Sequence, residues 1–133
     1  MSNLDKLSTF FKERPDVLAP VLDVIGSLRR RYGNPPVSIL KTQIKIGKKG
    51  GFCWLWLPLQ KPEEPTAPCF VLSFSLESPW QHPRMIGTAS PYPGRYVIHI
   101  ALRQANELDD AILSHLDEAF RLKYGADPES GRT

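Results

Sequence analysis

Cysteine is scarce in this chain: Cys53 and Cys69 are the two in 133 residues. Two thiols exclude a disulfide scaffold, and their spacing matches neither a metal-ligand set nor a redox pair. No apolar run of about 18 residues occurs, so the sequence offers no transmembrane helix. Near the N-terminus, Asp5 and Lys6 stand where a secretory leader would be apolar. Charge of one sign is in little excess, with 17 Lys+Arg against 14 Asp+Glu. The resulting net charge of +3 is low for a dedicated nucleic-acid binder. These deficits lead us to expect a reduced, cytoplasmic protein with no cofactor, no metal and no membrane contact.

What is present suits one globular unit. Hydrophobic residues make up 41% and charged residues 23%, and a chain this long hides roughly two-thirds of its unfolded surface. We expect one domain over residues 1–125 and a flexible tail over residues 126–133, which are small and polar. Charge is unevenly spread. Arg29, Arg30 and Arg31 are consecutive, and Lys41, Lys45, Lys48 and Lys49 follow. The acids gather late, at Glu107, Asp109, Asp110, Asp117 and Glu118. Such asymmetry can steer an anionic partner, although charges at helix ends and turns are ordinarily just solvated.

Periodicity predicts helices at both ends. Leu4, Leu7, Phe10 and Phe11 mark a short one over Asn3 to Lys12. Leu18, Val21, Leu22, Ile25, Leu28 and Tyr32 form the stripe of a second, with Asp16 as its expected cap and Gly33 as its stop. The last helix is expected from Asn106, with Leu108, Ile112, Leu116, Ala119 and Phe120 facing inward. Between the helices the period changes to two. Strands are expected over Val37 to Leu40, around Ile44 and Ile46, and over Phe52 to Leu57, Phe70 to Leu76 and Arg95 to Leu102. The 13 prolines mark loops, including a long strand-free stretch from Glu77 to Gly94. This order predicts an α+β two-layer sandwich with a mostly antiparallel, four- to five-stranded sheet and helices on one face.

Alternation then assigns the faces. Phe70, Leu72, Phe74 and Leu76 share one side with Ile98 and Ile100. The other side collects Lys45, Ser73, Ser75, His99 and Arg103, and Phe52, Trp54 and Trp56 join it if Cys53 and Leu55 enter the core. Aromatics among cations on a sheet make a stacking platform for flat anions or nucleic acid. Two alternatives compete: the Pro-rich stretch folds over the tryptophans, or a second copy of the chain covers them. The loop cluster Trp80, His82 and Arg84 adds a candidate acid or base and an anion clamp. Gly47 to Gly51 joins two strands rather than opening a helix, so it is no phosphate-binding P-loop. The candidate ligand-binding residues are therefore Lys41, Lys45, Trp54, Trp56, Trp80, His82, Arg84, His99 and Arg103. No catalytic set emerges. A non-enzymatic binding or interaction module is the leading expectation, and a small enzyme or nucleic-acid-linked factor using His82, His99 and Arg84 is the alternative.

Residues from about 15 to 124 also resemble the bacterial domain-of-unknown-function 5655 family. The resemblance lies in Lys41-Thr42-Gln43-Ile44-Lys45-Ile46 and in Gly51-Phe52-Cys53-Trp54-Leu55-Trp56-Leu57-Pro58. It continues in Tyr96-Val97-Ile98-His99-Ile100, Asn106-Glu107-Leu108-Asp109-Asp110 and Leu116-Asp117-Glu118-Ala119-Phe120. It implies a small α+β domain of a kind that recurs as a C-terminal module, in some cases in proteins linked to restriction or transport. It transfers no catalytic residue.

Overall fold

The computed structural model describes residues 3–12, 14–58 and 70–125. Cys69, the prolines at 62, 65 and 68, and the expected C-terminal tail lie outside the described residues. Among the described residues, three α-helices and six strands run in the order α1 (Asn3–Phe10), α2 (Leu18–Arg31), β1 (Val37–Ile39), β2 (Ile44–Ile46), β3 (Cys53–Trp56), β4 (Phe70–Leu76), β5 (Met85–Tyr92), β6 (Arg95–Leu102) and α3 (Asp110–Tyr124). Every strand pairs antiparallel with its neighbour, in the spatial order β1-β2-β3-β4-β6-β5. The fold is the expected α+β class, with six strands rather than four to five.

The additional strand is β5, which falls inside the stretch expected to be strand-free. Its sequence, Met85-Ile86-Gly87-Thr88-Ala89-Ser90-Pro91-Tyr92, is poor in strand formers. It is an edge strand, where proline and glycine are tolerated, and its register with β6 shifts at two places. Because this segment extends the sheet sideways through β6, the prolines from Pro79 to Pro93 do not fold over the tryptophans.

One apolar layer joins the sheet to the helices. Ile44, Ile46, Cys53, Leu55, Phe70, Leu72, Phe74, Ile98 and Ile100 meet Val21, Val24, Ile25 and Leu28 of α2 and Ile112, Leu116 and Ala119 of α3. The alternation that placed the inward residues of β2, β4, β6 and α3 therefore holds. Phe52 departs from it. It precedes β3 and is buried against Tyr32, at a centroid distance of 4.7 Å, and Phe120, at 5.0 Å. Gly47 and Gly51, at φ of +108° and +83°, bring it there. A Cβ on Gly47 would lie 2.8 Å from the Phe52 ring, so the close approach requires glycine at that position.

Two helix starts also differ from expectation. α2 begins after a 3-10 turn over Pro15–Val17, and its cap position is Val17, with no side-chain cap. Asp16 instead accepts from Arg14 Nε at 3.4 Å. α3 begins at Asp110 rather than Asn106, because Ala105–Glu107 forms its own 3-10 turn. Asp109 is the cap, accepting from the Ile112 N–H at 2.8 Å, a bond that holds its carboxyl below the ordinary value. At the other end, Gly125 at φ +68° donates to the Arg121 carbonyl and stops the helix.

Candidate functional site

The sheet face turned away from the helices is built by register. Ser38 pairs with Lys45, Lys45 with Trp54, Trp54 with Ser73, Ser73 with His99, and His99 with Gly87. Side chains directly opposite on antiparallel strands share a face, so these six positions form one row across the sheet. At about 4.8 Å per strand the row spans about 24 Å. Two residues along β3, Trp56 pairs with Val71, and Val71 with Ala101.

The polar groups of this face are linked. Trp56 Nε1–H donates to Ser73 Oγ at 2.8 Å, and Ser73 Oγ lies 2.7 Å from His99 Nδ1. Among the described residues the Ser73 hydroxyl proton has one acceptor in reach, His99 Nδ1; with Ser73 donating, that nitrogen accepts and His99 carries its own proton on Nε2. Burial pushes the His99 pKa below its ordinary value, which keeps the ring neutral. The face therefore presents an Nε2–H donor beside the edge of the Trp56 ring, whose centroid is 5.7 Å away. Ser73 itself is only 4% exposed. Trp54 and Lys45 are half-buried on the same face.

Toward the Gly50–Gly51 turn this face opens into a groove of about 570 Å³. Trp54 and Ser75 line its sheet side, Tyr92 and Arg95 come from the β5–β6 turn, and Lys123 comes from the last turn of α3. Arg95 reaches Ser75 Oγ through Nε and Nη2, both at 3.4 Å, and its guanidinium lies 5.8 Å from the Tyr92 ring centroid. Glu77 contributes the one carboxylate of the lining.

The nine candidate residues do not form one site. Lys45, Trp54, Trp56 and His99 come together on the open face. Lys41, in the β1–β2 turn, and Arg103, just past β6, lie by register at the Trp56 end, away from the groove, and both are exposed. Trp80, His82 and Arg84 belong to the opposite side of the sheet. Trp80 stacks on His115 of α3 at 4.1 Å and packs near Phe74. His82 Nδ1 accepts the Arg84 backbone N–H at 3.0 Å, so its Nε2–H donates to Asp109 at 2.8 Å. Arg84 is engaged by Glu107 at 2.9 Å. The expected acid or base and anion clamp thus fasten the β4–β5 connection to the start of α3.

Sequence reasoning missed Tyr92, Arg95 and Lys123 as site residues. Alternation along β6 puts Arg95 on the same side as His99, but its neighbours follow only once β5 is known to be a strand. Among the described residues, no cluster of His, Cys, Asp and Glu could hold a metal ion, and no helix is long and apolar enough to cross a membrane. Comparison with protein-family models, curated proteins and solved structures gave no match.

Proposed function

We propose that this domain is a cytoplasmic, non-enzymatic binding module that takes flat anionic ligands, single-stranded nucleic acid among them, on the helix-free face of its sheet. The observation that carries the reading is the row in which Lys45 stands beside Trp54 and Ser73 beside His99. An aromatic flanked by a cation and by an N–H donor suits a base and its phosphate, and stacking is worth about 1–3 kcal/mol per base. The resemblance to the 5655 family belongs to the same proposal and adds no catalytic residue to it.

A second reading, a small enzyme, draws on the 2.7 Å contact between Ser73 and His99. Against it, Ser73 Oγ is nearly buried and already accepts from Trp56, and no carboxylate among the described residues orients His99.

Tryptophan fluorescence titrated with a single-stranded oligonucleotide at low salt tests the proposal. Quenching is expected, with affinity falling as salt rises because bound counterions are released. Trp54→Ala should weaken binding, and Lys45→Gln should flatten the salt slope. Unquenched emission at low salt would remove nucleic acid. A halved native mass for Trp54→Ala would show instead that a second copy of the chain covers this face.

A further inference from the structure

We propose that the groove beside Trp54 seats a single nucleotide, its base on the indole and its phosphate between Arg95 and Lys123. This rests on the binding reading above and narrows it to one ligand unit at one end of the sheet. Trp54 is shared by the open face and the groove, so a base stacked there continues into the groove rather than onto flat sheet. Trp56 spends its indole N–H on Ser73, whereas the Trp54 indole N–H has no hydrogen-bond partner among the described residues.

Two cations from distant parts of the chain line the same groove. Arg95 is braced by Ser75 and by the Tyr92 ring. The contacts to Ser75 are long, and most of the guanidinium N–H groups stay free for a ligand. Lys123 has no ion pair among the described residues, and most of the lining around it comes from outside α3. A phosphate carries charge enough to use both cations, and the planar fork of arginine suits its oxygens. The volume, about 570 Å³, falls within the usual range of small-molecule sites.

Gly50 and Gly51 border the groove without side chains of their own. A Cβ on Gly50 would lie 3.5 Å from Lys123 Nζ. A Cβ on Gly51 would lie 2.6 Å from the Lys45 stem, which crosses over that residue. Glu77 separates a nucleotide from a bare anion. It can accept a hydrogen bond from a ribose hydroxyl or a base amino group, groups that inorganic phosphate lacks.

Calorimetric titration of the full chain with adenosine 5′-monophosphate, adenosine and inorganic phosphate tests the proposal. The nucleotide should bind about tenfold or more tightly than either fragment, and Arg95→Gln and Lys123→Gln should each cost about tenfold, the scale of one lost charge-assisted hydrogen bond. Equal affinity for adenosine and its monophosphate, or indifference to both cation variants, would overturn the proposal. A 5′-phosphorylated oligonucleotide that binds more tightly than the free nucleotide assigns the groove to a strand end, and equal binding assigns it to the nucleotide itself. The two readings fail separately. Oligonucleotide binding that ignores Arg95→Gln and Lys123→Gln but responds to Lys45→Gln overturns the groove alone, and loss of all oligonucleotide quenching overturns the open face.

Discussion

Asp117 ties the end of α2 to the middle of α3, and its removal should be felt in stability rather than binding. Its Oδ1 accepts from Arg31 Nε at 2.9 Å and from the Tyr32 hydroxyl at 2.7 Å, and its Oδ2 accepts from Arg31 Nη2 at 2.6 Å. The two partners differ in worth. The Arg31 side chain is 37% exposed, so its pair with Asp117 contributes about 0–1 kcal/mol, as surface ion pairs do. Tyr32 is buried, and an orphaned buried hydroxyl costs about 1–3 kcal/mol. Asp117→Ala should therefore cost about 2–3 kcal/mol in urea denaturation at neutral pH. Because the orphan supplies most of that loss, adding Tyr32→Phe to the alanine variant should restore about 1 kcal/mol. The pH dependence has a definite sign. Burial alone would raise the Asp117 pKa, but the hydrogen bonds from Arg31 and Tyr32 outweigh it and hold the carboxyl below its ordinary 3.8. Its stabilisation is then complete above the unfolded value and is lost as pH falls through the folded one. Asp117→Asn should flatten that acid limb. A loss under about 0.5 kcal/mol for Asp117→Ala, or no recovery on adding Tyr32→Phe, would refute the assignment of Tyr32 as the dominant partner.

Leu116→Ala removes a fully buried side chain of α3 from the layer shared with Phe70, Leu72, Phe74, Ile98 and Ile100. Chemical denaturation should register a loss of about 2–5 kcal/mol, and a change within the surface scatter of about 0.5 kcal/mol would mean the helix docks elsewhere. Cys53 is fully buried, and burial pushes its thiol far above the ordinary value, so it should be inert in the native state. A Cys69→Ser chain treated with a thiol reagent should label only on unfolding; rapid native labelling would place Cys53 off the core face.

Elements whose residues carry their own signal were legible in the sequence. The stripe Ile112, Leu116 and Ala119, the inward row of β4 and the inward row of β6 all entered the core as their period required. The helix starts shifted because short 3-10 turns took residues that resembled first turns, leaving Asp109 rather than Asn106 as the cap. β5 was not legible because its order comes from β6. Apart from half-buried Met85 and Gly87 its residues are exposed, and Thr88 Oγ1 bonds to the Val97 carbonyl across the pair. An edge strand held by a neighbour's ladder needs little hydrophobic pattern of its own.

The candidate site divided for a related reason. Local sequence shows which groups a residue carries, and distant partners decide which of them remain unspent. His82 looked reactive beside Trp80 and Arg84, yet one nitrogen accepts a backbone N–H two residues on and the other donates to Asp109, 27 residues away. A ring with both nitrogens committed has no lone pair left to take a substrate proton. His99, in the middle of a strand, pairs Nδ1 with Ser73, 26 residues away, which leaves its Nε2–H with no partner among the described residues. The same holds for the cations. Arg84 is engaged by Glu107 and Arg31 by Asp117, whereas Lys45 and Lys123 have no ion pair among the described residues. Lys45, Trp54, His99 Nε2–H and Lys123 are unspent groups of the open face and its groove, whereas the histidine-bearing connection that looked most functional in isolation has His82 and Arg84 committed.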